Sequence, residues 1–114
     1  MITVYGIKNC DSVKKARKWL QEHNIEHRFH DVRTEGIETE TIQNWIDQVG
    51  WQVVLNKRGT SWRNLDSHQQ QNVTESNLAS LLQSNPTLIK RPVLNVDGII
   101  SIGFSPDSYQ SIFN

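Results

Sequence analysis

The chain has 114 residues, a length that predicts one domain. Twelve Lys and Arg balance twelve Asp and Glu. That balance argues against direct nucleic-acid binding, because phosphate recognition wants a basic domain. No apolar run approaches the roughly 20 residues of a bilayer-spanning helix, and the sequence Met1-Ile2-Thr3-Val4-Tyr5 does not open like a signal peptide. With one cysteine, Cys10, and so no internal disulfide, a cytoplasmic location without membrane association is expected.

In chain order, Ile2 and Val4 with their neighbours read as a strand stopped by Gly6. A helix follows Cys10, with Val13, Ala16 and Leu20 on one side and Trp19 adjoining; Lys14, Lys15, Arg17 and Lys18 fall mostly on the solvated side. Asn24 suits a left-handed stop. A second strand is predicted near residues 27–31, and strand–helix–strand suggests parallel pairing. Ile42, Trp45, Ile46 and Val49 sit at i, i+3, i+4 and i+7 of a second helix, with Thr39 as N-cap and Gly50 as the stop.

Val53-Val54-Leu55 reads as a buried segment, and residues 56–72 are polar and unassigned, with Gln69-Gln70-Gln71 as a solvated linker. A third helix is expected from an N-cap at Thr74, with Val73 against Leu78 and Leu81-Leu82 inward; Asn85-Pro86 ends it. Val93–Val96 and Ile99–Ile102 flank Asp97-Gly98, a strong hairpin signal. Ser105-Pro106-Asp107 opens a last helix through Phe113. This order packs compactly as a mixed four-stranded sheet covered by helices. The expected fold is therefore α/β and thioredoxin-like, one domain over 1–114 with a helical insertion at roughly 36–88.

Cys10 stands where the first strand hands over to the first helix. A helix N-terminus offers unpaired N–H groups and partial positive charge, both of which favour a thiolate. Lys8, Lys14, Lys15, Arg17 and Lys18 against Asp11 alone add electrostatic support. Such settings lower a thiol pKa from ~8.5 to roughly 3.5–7.5, so a lowered value is predicted for Cys10 with the helix end as its main cause. The alternative is an inert, buried Cys. Val13 occupies the place of a second thiol three residues on, so any redox cycle needs an external resolving thiol. His23, His27 and His30 are spaced wrongly for a metal site, and none is expected. Trp45 and Trp51 are read as packing residues, and Trp62 as either packing or cleft-lining. Arg91 precedes Pro92 at a strand start; Arg58 lies in a polar stretch, where an exposed loop is the plainer reading and an oxyanion clamp the sharper one.

Three segments together, Tyr5-Gly6-Ile7-Lys8-Asn9-Cys10-Asp11-Ser12-Val13-Lys14-Lys15-Ala16, Leu55-Asn56-Lys57-Arg58-Gly59-Thr60-Ser61-Trp62 and Ile89-Lys90-Arg91-Pro92-Val93-Leu94, resemble the arsenate reductase (ArsC) family, which also contains the Spx regulators. The YffB type of ArsC-like reductase is the branch most similar. The resemblance covers essentially the whole chain. It implies a catalytic Cys at Cys10, a cis Arg91–Pro92 bond and anion binding by Arg91. It also implies glutathione as co-substrate, glutaredoxin as a partner and no bound cofactor. Asn9 and the amides after Cys10 would hold the thiolate, and Arg58, Arg91 and the backbone beside Pro92 the substrate.

The sequence departs from the family's three arginines. Asn56 stands where the first falls, Arg58 matches a position that is Arg in Spx proteins, Arg91 matches the second, and the segment around Gly103-Phe104 has no third. A lost charge-assisted hydrogen bond is worth ~1.5–3 kcal/mol, roughly tenfold or more in oxyanion affinity. Inefficient arsenate turnover is therefore predicted. The first functional expectation is a glutathione-dependent thiol reductase. An Spx-like protein that binds the RNA polymerase α subunit is the first alternative, and a non-catalytic glutathione-binding protein the second.

Overall fold

The computed structural model describes residues 1–114, which divide into two compact units. The first joins Met1–Val32 to Arg91–Asn114; the second is Arg33–Lys90, the stretch where the sequence predicts a helical insertion.

The first unit is built on four strands, β1 (Ile2–Gly6), β2 (Arg28–Asp31), β3 (Val93–Val96) and β4 (Ile99–Ile102), in the order β2-β1-β3-β4. β1 runs parallel to β2, with Val4 opposite Phe29, and antiparallel to β3, with Val4 opposite Leu94. Helices α1 (Asp11–Glu22) and α7 (Pro106–Phe113) complete the thioredoxin-like arrangement expected from the sequence. Val4, Ala16, Leu20, Leu94 and Tyr109 form a buried cluster joined by Trp19, Phe29, Phe104 and Phe113. The aromatic rings meet edge to face, with Trp19 and Phe104 5.6 and 4.7 Å from Tyr109.

Local signals explain why these elements form. Asp97 and Gly98 both take positive φ, the primed turn that matches strand twist in a two-residue hairpin. Ser105 and Ser108 form a reciprocal capping box, with Pro106 in the first turn of α7. Gly6 is needed for a different reason. A Cβ there would fall 2.4 Å from Val13 Cγ2, so only glycine lets β1 lie this close to α1.

The second unit contains α2 (Thr39–Val49), α3 (Trp51–Val54), α4 (Thr60–Arg63), α5 (Ser67–Gln71), α6 (Leu78–Ser84) and a 3₁₀ turn at Pro86–Leu88. Helix α2 packs against α3 and α6, and Ile42, Trp45, Ile46, Leu78 and Leu82 are buried. Leu55 bridges Ile89, and the Lys90 N–H donates to the Val54 carbonyl at 2.8 Å.

Four sequence expectations change in this unit. The cap of α2 is Glu38, one residue before Thr39. The 53–55 segment ends a helical turn, with Val54 and Leu55 buried but Val53 exposed. Gln69–Gln71 is helical because Asp66 and Gln69 make a capping box. The last long helix starts at Leu78, not after Thr74, because the Asn77 side chain accepts the Thr74 N–H and closes a separate turn. No helix is long and apolar enough to cross a membrane.

Candidate active site

The sheet brings two distant chain segments together in the first unit. The β1–α1 turn delivers Cys10, and the chain re-enters at Arg91-Pro92 beside it to start β3, which pairs with β1. Cys10 is half-buried and takes the N-cap position of α1 in extended conformation. Its N–H donates to the Ile7 carbonyl at 3.1 Å, and its carbonyl accepts the Lys14 N–H at 3.0 Å, the first bond of the helix. The sulfur thus stands where a capping oxygen would, facing the amides of the first turn.

Burial is the largest single influence on the thiol and pushes its pKa up. The Val13 N–H, a hydrogen bond from the Arg91 side chain, the Arg91 charge and the Ser12 N–H act together the other way and leave the thiol below its ordinary value. The helix end does what the sequence predicts. Arg91 enters in a role the sequence reading gave to the substrate, and the side chains of Lys8, Lys14 and Asn9 are not among the groups acting on the sulfur.

The Arg91–Pro92 bond is cis. Pro92 is buried, and its carbonyl accepts the Gly103 N–H at 2.8 Å, tying the start of β3 to the end of β4. Lys8 and Asn9 are exposed in the turn before Cys10. Lys8, Lys14, Arg17 and Lys18 line a shallow pocket of about 220 Å³ along α1. None of those three lysines is in an ion pair.

Arg58 belongs to the second unit, where it is exposed and its N–H donates to Asn56 Oδ1 at 3.0 Å. Lys57 Nζ lies 5.8 Å from the Trp51 ring and 5.3 Å from the Trp62 ring, so both tryptophans flank a lysine. The histidines each have other neighbours: His23 stacks on Trp19, His27 meets Arg17, and His30 lies by Tyr5.

The sequence reading passed over Asp31. It is a buried charged residue at the end of β2, and its Oδ2 accepts the Lys8 N–H at 3.1 Å. The strand it closes, Arg28-Phe29-His30-Asp31, has a single apolar residue, so the sequence pattern gave no sign of its burial.

The model of the ArsC family matches residues 5–112. The chain belongs to the ArsC family. A solved YffB protein shares the fold at a TM-score of 0.93, with 43% identity over 97% of both chains. An uncharacterised Haemophilus influenzae protein is 51% identical over 99% of each chain. The global transcriptional regulator Spx 1 of Oceanobacillus iheyensis is 29% identical over 94% of this chain and 82% of its own. This ArsC-family chain keeps the Cys10 and Arg91-Pro92 elements in one unit and has Val13, packed beneath Gly6, where a second redox thiol would stand.

Proposed function

We propose that this ArsC-family protein is a glutathione-dependent thiol reductase working through Cys10 alone. The observation that carries the reading is a half-buried sulfur whose pKa is lowered by two helix amides and Arg91, in a chain without a second cysteine. The thiolate attacks the glutathionyl sulfur of a mixed disulfide R–S–S–G. A Cys10–glutathione disulfide forms, the S–S bond between that sulfur and the sulfur of R breaks, and the electron pair leaves on the thiolate R–S⁻, which takes a proton from solvent. A second glutathione thiolate, or glutaredoxin, then attacks the glutathionyl sulfur. This gives glutathione disulfide, or its mixed disulfide with glutaredoxin, and returns the Cys10 thiolate. A thiol of lowered pKa is a good leaving group in that second step.

Arg91 holds the anionic sulfur, and the lysine-lined pocket along α1 offers charge for the two glutathione carboxylates. Arsenate is the weaker substrate, because a single family arginine, Arg91, stands beside the thiolate in this unit. A cytoplasmic, reducing compartment suits a glutathione-resolved cysteine.

The test is production of glutathione disulfide from a panel of glutathione mixed disulfides and arsenate. Wild type turns over the mixed disulfides faster than arsenate, Cys10→Ser falls to background, and Arg91→Ala slows. Wild type that reduces no disulfide overturns the proposal. The likeness to Spx 1 favours one second reading, a regulator bound to the RNA polymerase α subunit. Its signature is a stable complex with the α C-terminal domain that survives Cys10→Ala.

A further inference from the structure

We infer that Asp31 is a positioning residue for the reactive sulfur, holding the turn that carries Cys10 through the Lys8 backbone N–H. The inference deepens the thiol-reductase reading and rests on it for its functional meaning. Asp31 is the last residue of β2, lying opposite Gly6, and it is 8% exposed. A carboxylate this buried is costly unless its oxygens are bonded. One of them accepts the Lys8 N–H at 3.1 Å, across 23 residues of sequence.

That bond falls at a decisive place. The turn between β1 and α1 is only Ile7-Lys8-Asn9-Cys10, and it is closed by the Cys10 N–H to Ile7 carbonyl bond. Just before the turn, the Gly6 carbonyl accepts the Val32 N–H at 2.9 Å, so β1 and the chain beyond β2 stay paired up to the bend. Asp31 then fixes the middle of the turn. The direction from which Cys10 enters the helix follows, and with it the placing of the sulfur against the Ser12 and Val13 amides and Arg91.

The leading influences on the thiol are burial, the Val13 and Ser12 amides and Arg91, and the Lys8 bond ties Asp31 to the turn that sets the sulfur against those amides. Asp31 therefore acts through geometry. Asparagine, whose amide oxygen accepts the same bond, is expected to serve in its place, and alanine is not. Lys8, Asp11 and Lys14 are the other charged side chains on the turn and first helical turn, and all are unchanged in both variants.

The experiment is the rate of Cys10 alkylation by iodoacetamide against pH, in wild type, Asp31→Ala and Asp31→Asn, with thermal unfolding of each. The expected result for Asp31→Ala is a midpoint about one pH unit higher and about tenfold slower alkylation below both midpoints. Asp31→Asn is expected to stay within about twofold of wild type. A folded Asp31→Ala protein with the wild-type profile overturns the inference, as does Asp31→Asn behaving like Asp31→Ala. A merely structural role would lower the unfolding temperature and leave the midpoint in place.

If Asp31→Ala does not fold, amide exchange in wild type decides. A protected Lys8 amide supports the inference, and one exchanging at the unprotected rate overturns it. None of these readouts uses glutathione, so absence of glutathione turnover sinks the proposed reaction and leaves this result standing.

Discussion

The two units of the chain differ in how their sequence encodes structure. In the first, strong local signals mark several joints: a primed Asp-Gly turn, a capping box at Ser105, a glycine under a helix. In the second, four of the five helices span seven residues or fewer, and the ends of several are set by side chains bonding to backbone, as with Asp66 and Asn77. The difference teaches where the chemistry is fixed. Every group acting on the Cys10 thiol, namely Val13, Ser12 and Arg91, lies in the first unit.

The sharpest way to break that comparison is a large cavity in the second unit. Trp45 is fully buried there, and Trp45→Ala is expected to cost about 3–5 kcal/mol of stability in urea unfolding. As long as the variant remains folded, the pH midpoint of Cys10 alkylation should not move. A shifted midpoint would show that the insertion helps set the thiol.

Gly6→Ala tests the opposite unit. Its new Cβ meets Val13 Cγ2 at 2.4 Å and must push α1 away from β1, an overpacking worth about 1–3 kcal/mol. Here both unfolding and the alkylation midpoint should change, because Val13 supplies an amide to the sulfur.

Arg91→Ala removes both a hydrogen bond and a charge from the thiolate. Alkylation at a pH below both midpoints should slow by about tenfold, in line with the worth of a charge-assisted bond. Titration of the thiolate absorbance would show the same upward shift.

Tyr109→Phe is expected to go the other way. The Tyr109 hydroxyl is buried without a hydrogen-bond partner, and burial pushes its pKa up. Deleting it should leave the first unit equally stable or stabilise it by about 1 kcal/mol. A loss of stability in urea would reveal a partner for the hydroxyl.

The smallest effect is the linkage of Cys10 ionisation to folding. Its folded pKa is depressed, so the thiolate contributes stability that is fully present above the unfolded value and lost as pH falls through the folded one. Wild type should therefore gain stability relative to Cys10→Ser as pH rises through that window. A difference that does not vary with pH would count against a lowered pKa.

The legibility of the fold followed burial. Val4, Ala16 and Leu20 were readable because a strand period of two and a helix period near 3.6 each place one face inward. The Asp66-x-x-Gln69 box was also present in the sequence and was missed in a stretch dominated by glutamines. At the site, Cys10 was legible from its place before a helix, whereas the hydrogen bond from Arg91 was not, since 81 residues separate the two.

The sequence by itself determined the element order, the helix that begins at the cysteine, the absence of a second thiol and the family. Those features depend on neighbours within a few residues or on identities that need no geometry. Only the tertiary structure decided that Arg91 reaches the sulfur and that Asp31 holds the turn beside it. Strand pairing created both contacts, and pairing joins residues that periodicity, which acts over one or two turns of chain, cannot relate.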